Sequence, residues 1–197
     1  MYRILRALCR VLVILCFGLE VEGQENVPSE GGAIIASNHV SFIDPIVVII
    51  GVKRPIHYMA KEELFRSRLL TAFFRGVNAF PVRRGMADRS AIREALAVVS
   101  DGSLLGIFPE GRRSRSAESL PLQRGTAFLA CKSGVPIIPV VVVNTDRLRF
   151  RRPLRIKIGA PLFCETRNKV SKADIAEANS RISKRFYDLL KQESVGL

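Results

Sequence analysis

The chain has only two histidines, His39 and His57, so imidazole chemistry has few places to sit. His39 lies in the run Ser37-Asn38-His39-Val40-Ser41-Phe42-Ile43-Asp44-Pro45, directly after the apolar stretch Ala33–Ser37. Asp44 follows five residues later. In a continuous helix that separation turns two side chains about 140° apart, and in a strand it puts them on opposite faces. They meet only if the segment turns, and the Asp-Pro start of a helix supplies a turn. A carboxylate on one imidazole nitrogen fixes the tautomer and leaves the other nitrogen free to accept a proton. The spacing equally fits an Asp44 that merely caps its helix and a His39 that fills a loop. No G-x-S-x-G elbow is present, and neither Ser37 nor Ser41 stands in a recognisable nucleophile setting. A His–Asp pair without a protein nucleophile suits direct acyl transfer, in which the hydroxyl of the acceptor is deprotonated and attacks.

Other charged groups follow apolar runs in the same way. Phe108-Pro109-Glu110-Gly111-Arg112-Arg113-Ser114 combines a strand end, a glycine turn and a forked cationic pair. Guanidinium binds phosphate bidentately, and glycine lets the backbone come close. Val82-Arg83-Arg84-Gly85 is a third strand end, and Lys61 closes a fourth. Each alone reads as a surface charge. Together they offer His, Lys, Arg and Arg at one edge of a sheet, a site that would deprotonate a hydroxyl next to a phosphate. Glu110, beside arginines, is expected to have its pKa pushed down and to order the Arg113 loop rather than act as a base. Cys9, Cys16, Cys131 and Cys164 contain no C-x-x-C pair and no histidine cluster, so no metal site is expected.

The elements that must position these residues are short apolar strands alternating with amphipathic helices. Strands are predicted at Ala33–Ser37, Ile56–Ala60, Asn78–Val82, Ser103–Phe108, Ile137–Val143 and Leu154–Ile158. Helices are predicted from Pro45 to Ile50 with Asp44 as N-cap, and over Glu62–Arg75, Ala87–Ser100 and Leu122–Ser133. Ser171-x-x-Asp174 is a capping box that opens a last helix, with Ile175, Ala178, Ile182, Phe186 and Leu189 on one face. This alternation predicts an α/β fold: a single domain, residues 20–197, with a mostly parallel central sheet flanked by helices.

Residues 1–19 read as a separate N-terminal membrane-associated helix. Arg3, Arg6 and Arg10 fall on one side at helical spacing, and Ile4, Leu5, Leu8, Val11, Leu12, Leu15 and Leu19 on the other. The apolar run Val11–Leu19 falls well short of the ~20 residues a span needs, and no small-x-small cleavage site follows. The expectation is an amphipathic helix in the membrane interface with its arginines toward anionic headgroups. Over 197 residues, 31 Lys+Arg against 18 Asp+Glu give +13, which points to anionic partners. Aromatics are 7% of residues, with no Trp, and Phe lies mostly in apolar runs. That speaks against a single-strand nucleic-acid binder, which interleaves aromatics with basic residues. A late basic cluster, Arg147 to Lys157, reads either as a solvated face or as a patch for a membrane or acidic partner.

With these blocks in order, the sequence resembles the glycerolipid acyltransferase family, in its bacterial 1-acylglycerol-3-phosphate O-acyltransferase (lysophosphatidic acid acyltransferase) branch, over roughly residues 20–165. Asn38-His39-Val40-Ser41-Phe42-Ile43-Asp44 is similar to the catalytic N-H-x-S-x-x-D block. Phe80-Pro81-Val82-Arg83-Arg84-Gly85 resembles a second block, Phe108 to Ser114 resembles F-P-E-G-T-R-S, and Val135-Pro136-Ile137-Ile138-Pro139-Val140 resembles a fourth, apolar one. The resemblance implies His39 and Asp44 as the catalytic pair. It implies Lys61, Arg84, Glu110, Gly111 and Arg113 at the acceptor phosphate, with Arg84 preferred to Arg83 because Gly85 follows it. It also implies acyl-CoA or acyl-carrier protein as donor, lysophosphatidic acid as acceptor, membrane phospholipids as surroundings, no cofactor, no metal and no nucleic acid. The enzyme would sit on the cytoplasmic face of the cell membrane, peripheral or monotopic, in phospholipid biosynthesis. Arg112 departs from the pattern, standing where the family usually has Thr. The alternative is the same chemistry on another lysolipid or an amino-lipid. A non-catalytic membrane or nucleic-acid binder is the reading from a different class.

Overall fold

The computed structural model describes residues 1–83, 88–113 and 122–194, with backbone only for the last two. Seven strands form one sheet: β1 (Leu19–Glu22), β2 (Ala33–Ser37), β3 (Ile56–Lys61), β4 (Ala79–Val82), β5 (Leu104–Ile107), β6 (Ile137–Val143) and β7 (Leu154–Ile158). Their spatial order is β1-β7-β6-β2-β5-β3-β4. Every neighbouring pair is parallel except β6 and β7. The helices are α1 (Tyr2–Cys16), α2 (Asp44–Gly51), α3 (Arg68–Gly76), α4 (Arg89–Ser100), α5 (Arg124–Ser133) and α6 (Lys172–Ser194). The α/β class and the mostly parallel sheet are as the alternation of elements predicted.

The central strands β2, β5 and β6 are apolar but for Ser37 because the sheet is covered on both faces. In β2, Ile34 and Ala36 point to one layer, among residues of α4, α5 and α6, including Ala95, Ala127 and Ile182. Ala33 and Ile35 point to the other, where Val47 and Val48 of α2 pack. Right-handed crossovers explain the split. The chain steps one way through β2-α2-β3-α3-β4, then back through α4 and α5 onto the opposite face. The capping box is reciprocal: Ser171 N donates to Asp174 Oδ2 at 2.8 Å and Asp174 N to Ser171 Oγ at 3.1 Å. Gly134, at φ 72°, closes α5.

Four local expectations are corrected. The helix expected over Glu62–Arg75 is two pieces, a 3-10 turn at Glu62–Phe65 and α3, because the Ser67 hydroxyl accepts from Leu70 N and starts a new helix. The N-terminal helix stops at Cys16. Gly18, at φ 93°, breaks it, and Leu19–Glu22 becomes the edge strand β1. Asp44 is not a cap but the first residue of α2, following Ile43.

The fourth correction concerns α1. Arg6 and Arg10 turn back onto α2, and only Arg3 stands exposed without such a bond. Arg6 donates to the carbonyls of Ile49 (3.0 Å), Val52 (2.6 Å) and Lys53 (2.9 Å), and Arg10 donates to Ile50 (2.7 Å). These are the end carbonyls of α2 and the turn after it, where positive charge is favoured. The Tyr2 hydroxyl accepts from Ile56 N at 3.1 Å, and Val13 and Phe17 pack against the core. The opposite side, Ile4, Leu8, Val11, Leu12 and Leu15, is exposed. In the late basic cluster, Arg155 pairs with Glu20 at 3.0 Å and Lys157 lies 3.8 Å from Glu22, so part of it stitches β7 to β1.

Arg6→Ala would strip three carbonyls of their donor. We expect a loss of about 1–3 kcal/mol of unfolding free energy, with faster amide exchange in α1 and the last turn of α2. Wild-type exchange in both segments would show that the arginine caps are dispensable.

Candidate active site

The carboxyl ends of β2, β3, β4 and β5 all open on one edge of the sheet, where ligands of parallel α/β sheets bind. His39 stands just past β2, and α2 begins five residues later. The intervening residues fold back, so that His39 Nδ1 lies 3.0 Å from Asp44 Oδ2. The same oxygen accepts from Val40 N and Ser41 N, both at 2.7 Å. Asp44 is fully buried and His39 nearly so. Since the carboxylate only accepts, Nδ1 carries the proton and Nε2 is the basic nitrogen. Among the described residues nothing is bonded to Nε2.

Three further contacts fix the loop. Asn38 extends the sheet sideways: its Nδ2 donates to Val142 O at 3.0 Å and its Oδ1 accepts from Val142 N at 2.7 Å. The His39 ring stacks on Phe108, with centroids 4.1 Å apart and planes 23° apart. Behind it Tyr58 stacks on Phe108 at 5.7 Å. His39 N donates to Glu110 Oε1 at 3.2 Å.

Glu110 overturns one expectation. Its carboxyl is buried, and burial pushes its pKa up to about 7, helped by the Asp44 charge and opposed by the bond from His39 N. Arg112 and Arg113 stand exposed in solvent rather than against it. Glu110 Oε2 has no partner among the described residues. Gly111, at φ 69°, makes the turn after it, and a Cβ there would press on Gln123.

The cations are arranged more loosely. Lys61, the last residue of β3, is half exposed and pairs with Glu63 at 2.9 Å. Arg83 pairs with Glu62 at 3.0 Å. Arg84 lies outside the described residues. Thus the structure joins His39, Asp44 and Glu110 directly, and puts Lys61, Gly111 and Arg113 on the same edge without contact to the pair. His57 is in the first half of β3, register-paired with Leu105 and away from this edge. The roles of Asn38 as clamp and Phe108 as platform were missed. Both lie inside recognised blocks, but their partners are Val142 of β6 for Asn38, and His39 and Tyr58 for Phe108, which no local spacing reveals.

A parallel sheet with a buried His–Asp pair at its carboxyl edge defines a class, and comparison gives the family. Residues 18–143 match the Acyltransferase family model, and the chain belongs to this family of acyltransferase enzymes. A Bacillus subtilis (strain 168) protein named 1-acyl-sn-glycerol-3-phosphate acyltransferase is 32% identical over 191 residues, spanning 92% of this chain and 95% of that one. A Borreliella burgdorferi protein of the same name is 32% identical over 128 residues, 64% of this chain and 51% of its own. The crystal structure of the 1-acyl-sn-glycerophosphate (LPA) acyltransferase PlsC from Thermotoga maritima has the same fold. Its TM-score is 0.71 at 24% identity, covering 95% of this chain and 79% of that one.

The raised Glu110 carboxyl has a signed consequence. Between its ordinary pKa of 4.5 and about 7 the folded protein holds a proton that the unfolded chain has lost. Stability therefore falls as pH rises through that window. Glu110→Gln keeps an acceptor for His39 N and removes the titration. The variant should gain on wild type, by up to about 3 kcal/mol, as pH goes from 4.5 to above 7. Parallel melting-temperature profiles of the two proteins across this range would refute the assignment.

Proposed function

We propose that the enzyme transfers a fatty acyl group from acyl-CoA or acyl-carrier protein to the free hydroxyl of 1-acylglycerol-3-phosphate, giving phosphatidic acid in phospholipid biosynthesis. The carrying observation is the buried His39–Asp44 pair, held at 3.0 Å on the sheet edge that also presents Lys61, Glu110, Gly111 and Arg113. The name borne by the Bacillus subtilis relative, matched over nearly its full length, supports the choice of acceptor.

In this reading His39 Nε2 takes the acceptor's hydroxyl proton as that oxygen attacks the thioester carbonyl. The carbon–sulfur bond then breaks, and the departing thiolate recovers a proton. Asp44 balances the imidazolium while it exists. The thioester is already activated, so a base and positioning suffice, without a covalent nucleophile or a resident cofactor. Lys61, Arg84 and Arg113 hold the acceptor phosphate, with the Gly111 turn giving the backbone close approach. Glu110 in its neutral form adds no negative charge beside that phosphate and holds the backbone of His39.

We further assign α1 to the membrane interface on the cytoplasmic face, with the rest of the chain as the acyltransferase domain. No helix among the described residues is long and apolar enough to cross a membrane, and the exposed side of α1 is its apolar one. Attachment of this kind is monotopic.

Purified protein assayed in mixed micelles, with one acyl-CoA and lysolipids with and without a phosphomonoester, tests the activity. Transfer to lysophosphatidate should exceed transfer to the others, and a preference for an acceptor lacking the phosphomonoester would refute the assignment. His39→Ala should lose on the order of 10²–10⁴-fold in turnover while staying folded. Asp44→Asn keeps an oxygen for Val40 N and Ser41 N but cannot balance the imidazolium, so it too should be severely impaired. Near-normal turnover would reduce Asp44 to a brace for the loop. Arg113→Ala should weaken lysophosphatidate use by roughly 10–100-fold and acceptors without the phosphomonoester by less. Equal losses would assign Arg113 to the fold or the donor.

A further inference from the structure

The helix α3 has no role in the chemistry above, and none of its nine residues is buried. A helix of a soluble domain normally turns its apolar stripe to the core. Here Leu69, Leu70 and Phe73, one above another at helical spacing, face outward, with Leu69 81% exposed. Leu64, in the 3-10 turn before α3, is exposed as well. Exposed Arg66 and Arg68 border this stripe, while Arg75 pairs with Glu94 of α4 at 3.4 Å.

The stripe continues into its neighbours. The crossovers through α2 and α3 put both helices on one face of the sheet, and α1 lies across the end of α2. The Met1 side chain rests directly on Gly76 at the end of α3, so the exposed side of α1 runs into that of α3. At the other end of the layer, Phe42 and Ile46 flank the start of α2 beside His39, and Phe42 is 71% exposed. Three successive helices of one layer therefore show apolar side chains to the outside, with arginines at the border. A contiguous patch of this kind marks an interaction surface. Apolar tips within a cationic border match a lipid bilayer with anionic headgroups better than a protein partner.

We propose that α3, together with Phe42 and Ile46, is a second contact with an anionic bilayer, so that the enzyme lies on the membrane along its α1–α2–α3 face with the mouth beside His39 against the lipid. This rests on the assignment of α1 to the interface and extends it. One helix would tether the domain; a second contact through α3, with Phe42 and Ile46 at the other end of the layer, fixes its orientation. The acceptor then enters sideways from the lipid surface without crossing water.

The chain has no Trp, so one introduced Trp reports one position. Single-Trp variants Leu69→Trp and Phe73→Trp (α3), Leu12→Trp (α1) and Tyr187→Trp (exposed on α6, on the opposite layer) would be mixed with phosphatidylglycerol–phosphatidylcholine vesicles carrying brominated acyl chains. Positions 69, 73 and 12 should shift to the blue and be quenched, while 187 keeps its emission. The double substitution Leu69→Ser/Phe73→Ser should lower vesicle partitioning by on the order of 10–100-fold, with acylation of a micelle-dispersed acceptor kept. Quenching at 12 without quenching at 69 and 73 would overturn the second contact and leave α1 as a lone tether. Quenching at none of the three would overturn both, while the micellar assay reports separately on acyl transfer. Equal quenching at 187, or a lipid-free blue shift at 69 that grows with protein concentration, would also overturn it, the latter in favour of a second copy of the chain.

Discussion

One oxygen holds the site together. Asp44 Oδ2 collects Val40 N, Ser41 N and His39 Nδ1 within 3.0 Å in a place closed to water. A buried carboxylate is costly unless donors surround it, and here two of the three donors belong to the segment that must fold back. The same bonds therefore bury the charge, close the loop and set the imidazole tautomer. Asp44 is also the first residue of α2, where a helix favours negative charge, and Arg6 and Arg10 neutralise the far end. That short helix is held electrostatically at both ends.

A second carboxyl shares this neighbourhood under different rules. Asp44 has three donors on one oxygen; Glu110 has one, from His39 N, and burial with a like charge nearby raises its pKa. Two acids of similar chemistry thus have different tasks by environment alone. Asp44 closes the loop around the histidine side chain, and Glu110 supplies an anchor for the backbone of the histidine.

Much of this was legible in the sequence. The strands at Ala33–Ser37, Ile137–Val143 and Leu154–Ile158 match residue for residue, the first two because covered strands are nearly all apolar and the third because Leu154, Ile156 and Ile158 alternate with Arg155 and Lys157. The capping box at Ser171 is a local signal and was read as such. The His39 and Asp44 pairing needed only a turn. What escaped was set by distant residues. Nothing near Arg6 says that it will seek the end of α2, and a basic stripe opposite an apolar one reads equally well in either orientation. Glu110 was misjudged because neighbours in sequence, Arg112 and Arg113, point to solvent while the glutamate turns inward. β1 was hidden because its four residues are too few to show alternation against the helix before them.

The chain's first strand is also its most dependent. β1 touches the sheet through β7, with Leu19 paired to Leu154 and Glu22 to Lys157, nearly the whole domain apart in sequence. Loop closure over such a span comes late in folding. On a ribosome, adding tens of residues per several seconds, β1 leaves the exit tunnel long before β7 exists to receive it. During that interval α1 has been made, and α2, which receives its arginines, follows within a few dozen residues, but the sheet edge behind them is open. The order of synthesis thus lets α1 and α2 pack on each other while the sheet edge that β1 will complete still lacks its partner strand.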